Sequence, residues 1–426
     1  MMSLKSYFKI GCFFLLSSSF VFAKNSNRNN KFDYFELGQF SENFEKNKLN
    51  LPRILHVNIA DQTCGGAAQV VFALCLNLLN QGYPVKVVAA KNSHFHKELK
   101  QRGIPCYGID LHWPTKSKAT FSNDLTKILD EICHKDKIDI LHVHKHWEYK
   151  AAKSIAHKLN IAAVAFYHSF VFPDPEKFRG FDAVMLANPS VAEYLNIQNT
   201  ELSLGIKNIE FICPPHNDEK FLKFVPTCDR KTFFKNTYGI DVLNCPVICM
   251  IANFYECKNH RLLFKAVHKL IYEEKIPVQV MLAGSGTDKE TEKLKKIVSD
   301  YGIEKNVLFL GYTSFIPDLL FHSDIKILPS KGEAFGIVLM EAALMKKAII
   351  VSKNSGAAGV LVNHEVTGLV IDPNDVSDLV LQIKKLIQNP DLVSTLGMNA
   401  YNLACTKFTT EVALQNVKNI YHGIWK

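Results

Sequence analysis

Several signatures of common protein classes are missing from this sequence of 426 residues. Its 11 cysteines form no CxxC pair and no cluster with histidine at the spacing of a structural metal site. No arginine-rich arm accompanies the net charge of +9, so a nucleic-acid partner is not expected. The charge mildly favours anionic partners such as phosphates or lipid headgroups, although a basic surface that keeps the protein soluble explains it about as well.

A membrane span of comfortable length is also missing, but the N-terminus differs from the rest of the chain. Lys5 and Lys9 precede the run IGCFFLLSSSFVF, which is short and rich in serine, and Ala23 follows it. This pattern predicts a secretory signal peptide and hence a periplasmic or secreted protein. The alternative is an uncleaved anchor, which would place the protein at a membrane surface. We assign residues 1–23 to this segment and the polar, aperiodic residues 24–50 to a linker.

Beyond residue 50, short apolar strands alternate with amphipathic helical stretches, and hairpin turn signals are few. This pattern predicts an α/β fold with parallel sheets that are buried on both faces. The alternation breaks near residues 216–245 and then restarts. We therefore predict two Rossmann-like domains that face a central cleft, over 51–225 and 226–405, with a C-terminal helix at 406–426. Active sites of such sheets lie at the carboxyl ends of the strands.

The stretch GEAFGIVLMEAALMKK follows one such strand and holds two carboxylates, Glu333 and Glu341. We predict a helix that begins near Ala334 or Phe335. Eight residues of helix rise about 12 Å. Two carboxylates that act across one glycosidic bond lie only about 5–10 Å apart, and ligands of one metal ion lie closer still. The spacing therefore favours two contacts with different parts of a long phosphorylated ligand, which Gly336 would let approach the start of the helix.

Weaker signals lie at the ends of other strands. The loop DQTCGGAAQVV brings Gly65 and Gly66 to a helix start, although it is neither GxGxxG nor a Walker A motif, and a plain tight turn explains it almost as well. Lys258 stands between a strand and a helix, where a cation could neutralise the charge of a leaving phosphate. Gly284 in LAGSG would leave space for a flat ring. His168 ends the strand AFYH, where it could donate to a sugar hydroxyl.

The cluster HVHKHW places His142, His144 and His146 at alternating positions. A strand would point all three side chains to one face, so the spacing by itself permits a metal site. No carboxylate or cysteine stands near in sequence to complete the ligand set, and polar clusters are common at strand ends. We therefore predict no metal.

Together these segments resemble a known family. The order ANF…KNHRLLFKA, LAGSG, VLFLGY, DIKILPSKGEAFGIVLMEA, AIIVSKNSGAAG and VTGLVIDPND is similar to the C-terminal domain of the GT-B glycosyltransferases of group 1, or family 4, which retain configuration. The resemblance covers roughly residues 246–405, and EAFGIVLME is its most specific part. The N-terminal half resembles the acceptor domain of that family more loosely.

The resemblance implies transfer of a sugar from a nucleotide-diphosphate sugar to a glycan, lipid or small-molecule acceptor, without a cofactor or metal. By position, Glu333 would contact the sugar hydroxyls and Glu341 the ribose. His168, Lys258 and Glu333 would be the catalytic residues. The donor-binding residues implied in this way are Gly65, Gly66, Asn253, Lys258, Gly284, Glu333, Phe335, Gly336, Ile337, Val338 and Glu341.

Three positions depart from the family pattern. The family usually has an arginine near Asn253, a glutamate where Gly359 stands, and a glycine-containing turn at the segment PPHND (214–218). A signal peptide also conflicts with donors that are made in the cytoplasm. Two alternatives therefore stay open: a nucleotide-sugar epimerase of the same fold, and an exported sugar-binding protein that has lost catalysis.

Overall fold

A computed structural model describes residues 32–36, 50–59, 65–111 and 117–425. The predicted signal peptide or anchor at 1–23, and most of the predicted linker, lie outside these residues. Among the described helices, none is long and apolar enough to cross a membrane.

The first domain contains an eight-stranded sheet in the order β1-β4-β3-β2-β5-β6-β7-β8. Seven strands are parallel, and all of them except the edge strand β8 are apolar and buried almost throughout, because helices cover both faces as predicted. The strands are β1 Asp33–Phe35, β2 Ile54–Val57, β3 Val85–Ala90, β4 Cys106–Ile109, β5 Ile140–Val143, β6 Ala162–Tyr167, β7 Ala183–Leu186 and β8 Asn208–Phe211. The helices are α1 Gly66–Asn80, α2 His94–Gln101, α3 Lys118–Asp136, α4 Tyr149–Leu159 and α5 Pro189–Glu201.

Strand β1 lies within the segment that the sequence predicts as a linker. It pairs antiparallel with β4, a strand that the sequence pattern also misses. Tyr34 packs on Tyr107 with 4.6 Å between the ring centroids, and Asp33 accepts a hydrogen bond from Lys100 at 2.7 Å. An edge strand needs only one apolar face, so one aromatic contact and one charged hydrogen bond stabilise this short pairing in an otherwise polar segment.

The second domain has a six-stranded sheet, wholly parallel, in the order β11-β10-β9-β12-β13-β14. Its strands are β9 Val247–Ile251, β10 Gln279–Ala283, β11 Val307–Gly311, β12 Ile325–Leu328, β13 Ala348–Ser352 and β14 Leu369–Ile371. Its helices are α6 Glu219–Leu222, α7 Arg230–Tyr238, α8 His260–Tyr272, α9 Asp288–Asp300, α10 Ile316–Phe321, α11 Ile337–Leu344, α12 Val376–Gln388 and α13 Pro390–Lys407. Two such sheets confirm the predicted fold class.

The chain crosses between the domains twice. After β8, Cys213 and Phe221 already pack in the core of the second domain, before the predicted boundary at 225. The last helix, α14 (Thr410–Ile424), then returns to the first domain, where Tyr421 is fully buried beside α1. Side chains and backbone of the two crossings meet, because the hydroxyl of Thr410 donates to the carbonyl of His216 at 2.6 Å.

Candidate functional site

A cavity of about 520 Å³ opens between the carboxyl ends of the two sheets, and we call it the cleft cavity. Nearly all residues that the sequence predicts for the site line it: Gly66, His168, Asn253, Lys258, Gly284, Glu333, Phe335, Gly336, Ile337, Val338 and Glu341. Gly65 does not. It caps α1 in an extended conformation, and a Cβ atom there would meet nothing within 4 Å. Of the two glycines that the resemblance places in the donor site, Gly66 lines the cleft cavity, and the role of Gly65 stays a prediction.

Helix α11 begins at Ile337, two or three residues later than the sequence predicts. The cause is Gly336, whose φ of +92° lies in the left-handed region and cannot continue a helix. A Cβ atom at this position would lie 3.1 Å from a methyl group of Leu339 and 3.2 Å from one of Leu328. Glycine thus lets the chain turn sharply, so that Ile337 and Val338 at the start of α11 border the cleft cavity, while the amide of Leu339 donates back to the carbonyl of Gly336 at 2.8 Å. The first amides of a helix have no acceptor in a preceding turn.

Phe335 is among the residues that line the cleft cavity. Its side chain is fully buried, and its ring packs against Phe211 at 5.5 Å and Phe408 at 5.9 Å. The side chain is therefore part of the hydrophobic core, and a contact of Phe335 with the donor stays a prediction. Ile337 points towards the first domain, where its Cδ1 atom would lie 4.0 Å from a Cβ atom at Gly66.

Lys258 and Glu333 form an ion pair in the wall of the cleft cavity. The second carboxylate oxygen of Glu333 accepts a hydrogen bond from the amide of Ala334 at 3.2 Å. The two side chains are 21% and 15% exposed, so a ligand in the cleft cavity can reach both. The family pattern places an arginine near position 253, beside this lysine, but the chain has Asn253 there. The positive charge of Lys258 is balanced by Glu333, which the resemblance implies to be catalytic.

Asn259 holds the loop that carries Lys258 in place through hydrogen bonds of its side chain, and the sequence pattern does not reveal this role. Lys258 ends a short 3-10 turn, Glu256–Lys258, and Asn259 follows it with a φ of +61°. The buried amide of Asn259 donates to the carbonyls of Pro329 at 3.0 Å and Pro373 at 2.8 Å. These bonds tie the lysine loop to the loops after β12 and β14.

Glu341 lies on the second turn of α11 and also lines the cleft cavity. Burial raises its pKa, and the positive charges of His216, Lys220 and Lys326 oppose that rise. Lys326 is fully buried in β12, donates to the carbonyl of Ile327 at 3.1 Å, and has a pKa that burial lowers to about 8. The sequence does not reveal these three cations as neighbours of Glu341. His216 and Lys220 lie in the crossing that follows β8, and Lys326 lies in β12, so their approach to Glu341 depends on how these segments pack against α11.

Gly284 is required by close backbone approach. Its φ is +152°, and a Cβ atom would lie 2.0 Å from the carbonyl oxygen of Ala252. The loops after β9 and β10 therefore pack directly on each other beside Asn253. Gly359 also has a positive φ, +77°, but it does not line the cleft cavity.

The histidines fall into a different group from the one that the sequence suggests. His146 lies apart in a 3-10 turn, whereas His56 of β2 joins His142 and His144, with nitrogen atoms within 4.8 Å of one another. Their rings are stacked or tilted against one another at centroid distances of 4.5 to 5.3 Å. His144 uses both nitrogens, towards His56 at 3.0 Å and His168 at 3.1 Å, and Nδ1 of His142 lies 2.6 Å from the hydroxyl of Tyr421. One nitrogen from each of the three rings therefore lies close enough to the others for a single ion, while several of their nitrogens are engaged in hydrogen bonds, so the absence of a metal stays a prediction.

Comparison with known families agrees with this architecture. The profile described as "Glycosyl transferases group 1" matches residues 241–403, and the profile "Glycosyltransferase Family 4" matches residues 64–191. Together they cover more than half of the chain.

Individual proteins are similar over most of the chain. N-acetyl-alpha-D-glucosaminyl L-malate synthase of Bacillus anthracis is 24% identical over 81% of this chain and 86% of its own length. A UDP-Gal:alpha-D-GlcNAc-diphosphoundecaprenol alpha-1,3-galactosyltransferase of Escherichia coli is 22% identical over 69% of this chain and 77% of its own.

Solved structures share the fold. A glycosyltransferase from Rickettsia africae superposes with a TM-score of 0.77 at 20% identity, covering 88% of this chain and 99% of its own. Anabaena HepE, crystallised with UDP and glucose, gives a TM-score of 0.71 at 18% identity over 87% of this chain and 100% of its own.

Proposed function

Because this chain belongs to the group 1 glycosyltransferases of the GT-B fold, we propose that its cleft cavity binds a nucleotide-diphosphate sugar and transfers the sugar with retention of configuration. The arrangement around α11 carries the proposal. Glu333 and Glu341 flank a helix start whose amides suit a diphosphate, and Lys258 adds a cation beside it. Glu333 would hold the sugar hydroxyls and Glu341 the ribose hydroxyls.

The proposed chemistry needs no protein nucleophile and no metal. The bond between the sugar C1 and the diphosphate oxygen breaks, and the acceptor oxygen bonds to C1 on the same face. The acceptor's proton passes to the departing diphosphate. Lys258 and the first-turn amides of α11 would stabilise the charge that develops on that diphosphate. His168 would donate to a sugar hydroxyl.

The test is donor hydrolysis by the purified protein across a panel of nucleotide-sugars, measured as free nucleotide, with and without EDTA. We expect slow hydrolysis of at least one donor, unchanged by EDTA, and its loss in Glu341→Ala. Glu292→Ala is the matched control, because that glutamate lies on the surface helix α9 and pairs with Lys295. Absence of binding and turnover with every donor would overturn the proposal. Binding without turnover would instead support the alternative of a sugar-binding protein, which Asn253 favours.

We further propose that the first domain rests on an anionic membrane surface. The 169–174 loop, which follows His168, exposes Val171 by 55% and Phe172 by 56%. It has a fixed shape, because Tyr167 donates to the carbonyl of Val171 at 2.9 Å and Phe172 packs on Tyr194 with 5.1 Å between the rings. An ordered apolar projection of this kind is suited to the headgroup region of a bilayer.

Positive charge lies beside this loop. Lys177 follows the loop in the chain, and Lys145 is close enough to His168, which precedes the loop, for its charge to add to the lowering of that histidine's pKa by burial. Burial lowers the pKa of His146, and the charges of Lys177, Lys118 and Lys145 lower it further, so these three lysines lie around that ring. Basic side chains beside exposed apolar ones favour anionic lipid, at about 1 kcal/mol for each cation near the surface. An acceptor that is itself held in a membrane would then reach the cleft cavity from this side.

Flotation with phosphatidylglycerol vesicles tests the surface, with phosphatidylcholine vesicles as the neutral comparison. We expect binding to the anionic vesicles that falls with added salt and is lost in the double variant Val171→Asp, Phe172→Asp. Val366→Asp, Leu381→Asp is the control, since these residues are 55% and 59% exposed and belong to the second domain. Equal loss in both variants, or equal binding to both vesicles, would contradict the proposal.

Export remains a proposal of the N-terminal sequence, with cleavage after Ala23 or retention as an anchor as the two outcomes. The mass of the protein recovered from the cells that make it decides between them. A chain that starts at Lys24 means cleavage, and an intact N-terminus in the membrane fraction means an anchor. An intact chain in the cytoplasmic fraction would contradict both.

A further inference from the structure

Three histidines form a continuous line from the interior of the first domain to the cleft cavity, and we call them the histidine chain. His56 lies in β2, His144 follows β5, and His168 follows β6. Nδ1 of His56 lies 3.0 Å from Nε2 of His144, and Nδ1 of His144 lies 3.1 Å from Nε2 of His168. The rings are stacked at interplanar angles of 16° and 21°. His168 is the member that lines the cleft cavity.

The hydrogen bonds make the tautomers of the three rings depend on one another. A neutral imidazole has one N–H donor and one acceptor nitrogen. His144 is bonded at both nitrogens, so if it donates to His168 it must accept from His56, and the reverse holds. The histidine chain therefore has only two hydrogen-bonded states, which differ in direction.

The two ends of the histidine chain distinguish these states. At the inner end, Nε2 of His56 is buried and has no hydrogen-bond partner among the described residues. If the chain donates inwards, that atom carries an unpaired buried N–H; if the chain donates outwards, it carries only a lone pair. Buried N–H groups without an acceptor are rarer in proteins than under-used acceptors. The outward direction is therefore favoured, and it leaves the proton of His168 on Nδ1.

We propose that His144 and His56 are positioning residues that hold His168 as a neutral Nδ1–H tautomer, so that it donates a hydrogen bond into the cleft cavity. The ligand atom is then an oxygen that accepts, such as a sugar hydroxyl; this identification of the ligand rests on the proposed function, whereas the tautomer does not.

Burial supports the neutral state. It lowers the pKa of His168 to about 3, with a smaller contribution from the charge of Lys145, and it lowers the pKa of His144 well below its usual range. A protonated ring would donate from both nitrogens and would break the direction of the histidine chain. The same groups that exclude water therefore also exclude a charged His168.

His142 provides the matched control. It lies two residues before His144, is fully buried and stacks on the same ring at 4.5 Å. Its Nδ1 atom, however, is bonded to the hydroxyl of Tyr421 and not to the histidine chain. A phenylalanine at position 142 or at position 144 removes one buried imidazole from the same stack, but only the change at 144 interrupts the chain.

The test uses the full protein without ligand, labelled with ¹⁵N-histidine, and long-range ¹H–¹⁵N correlation of the imidazoles, with His168→Gln to assign the signals. We expect His168 to carry its proton on Nδ1 in the parent and in His142→Phe, and to become a tautomer mixture with a higher pKa in His144→Phe. His144→Gln, which can accept and donate, should restore the Nδ1–H form in part. Should His144→Phe not fold, His56→Phe interrupts the same chain one ring further away.

A proton on Nε2 of His168 in the parent would overturn the proposal, and so would an unchanged His168 signal in His144→Phe. Equimolar Zn²⁺ that shifts the signals of His56, His142 and His144 together would also overturn it, because a metal would take their lone pairs. With a donor from the hydrolysis panel, His144→Phe should lower kcat about tenfold, the value of one hydrogen bond, with little change in KM. Failure of hydrolysis in the parent would contradict the proposed function while leaving the tautomer result to stand.

Discussion

The carboxylate of Glu333 has two partners before any donor is bound, the ammonium group of Lys258 and the amide of Ala334. An incoming diphosphate competes with this carboxylate for the same lysine. Glu333 would therefore lower the affinity for a nucleotide that carries no sugar. When the nucleotide carries a sugar, hydrogen bonds from the sugar hydroxyls to the carboxylate of Glu333 would offset this effect. A bare nucleotide diphosphate, the product of transfer, gains least from such an arrangement.

The first prediction separates the two glutamates by the sign of their effect. Glu333→Gln should tighten binding of the free nucleoside diphosphate three- to tenfold, about 1 kcal/mol, because Lys258 loses its internal counter-ion. Glu341→Gln should weaken it by a similar factor, because a ribose contact is lost. Calorimetric titration of the two variants with the nucleotide of the preferred donor measures both. Weaker binding in Glu333→Gln would show that this carboxylate does not compete for Lys258.

The second prediction concerns pH and stability. Burial lowers the folded-state pKa of His56 and His168 to about 3, and those of His142 and His144 also lie well below the unfolded value of about 6.5. Below that value the unfolded chain binds protons that the folded chain does not, so stability must fall as pH falls from about 6.5. We expect the free energy of unfolding, measured in urea, to be lower at pH 5.5 than at pH 7.5 by on the order of 1 kcal/mol for each of these histidines.

His56→Phe should flatten that pH dependence, since one buried neutral imidazole is removed. His216 has the opposite sign: burial would lower its pKa, but Asp218 at 2.9 Å outweighs burial and raises it. The stability that His216 contributes is therefore present at low pH and lost as pH rises. A parent protein whose unfolding free energy does not change between the two pH values would contradict the neutral cluster.

At the scale of the elements, α11 shows what a sequence pattern can and cannot predict. The strand before it, the buried stripe of Phe335, Leu339 and Ala342, and the glycine at the start all follow from periodicity and residue type. The first helical residue does not, because a positive φ at Gly336 postpones the helix without changing the pattern.

The third prediction tests that helix start. Gly336→Ala places a Cβ atom at a φ of +92° and within 3.1 Å of Leu339, so the chain must rearrange where the diphosphate would bind. Gly239→Ala is the control: its φ is +70°, yet a Cβ atom there meets nothing within 4 Å. Both variants should lose about 1 kcal/mol of unfolding free energy in urea. Calorimetry should show that Gly336→Ala, and not Gly239→Ala, also loses nucleotide binding. An equal loss of nucleotide affinity in the two variants would show that the start of α11 does not contribute to binding.

The histidine chain, in contrast to α11, could not be predicted from the local sequence pattern. His144 and His168 each end a predicted strand, but His56 lies far away in sequence and meets them only because β2 pairs with β5 in the sheet order. Strand order is a property of the whole sheet and leaves no mark in local periodicity. The same reason hides the cations around Glu341, whereas family motifs close in sequence, such as EAFGIVLME, are visible directly.

Across the whole molecule, the two crossings between the domains are fastened at one point. The amide of Thr410 donates to Asp218 at 2.7 Å, its hydroxyl donates to the carbonyl of His216, and His216 also influences Glu341 in the cleft cavity. His216 therefore takes part both in the contacts that hold the two crossings together and in the electrostatic environment of Glu341 in the cleft cavity.

The fourth prediction compares two adjacent threonines. Thr409→Val removes only the N-cap of α14, which accepts from the amide of Val412, and should cost about 1 kcal/mol of stability. Thr410→Val removes the bonds of the hydroxyl to His216 and Asp218 and keeps the bond from the backbone amide to Asp218. It should lower stability by a similar or larger amount and also raise the KM for the donor a few-fold. Small-angle X-ray scattering should show a change in domain separation in Thr410→Val alone; the same profile in both variants would contradict a fastening role.

The return of α14 also has a consequence for how the protein is made. The first domain leaves the ribosome early, but the helix that covers the apolar face of α1, and the tyrosine hydroxyl beside His142, are near the end of the chain. At about 5–20 residues per second, roughly ten to forty seconds separate the emergence of β8 from that of α14. During this time the nascent first domain is incomplete, and its uncovered apolar face is a natural place for a chaperone to bind.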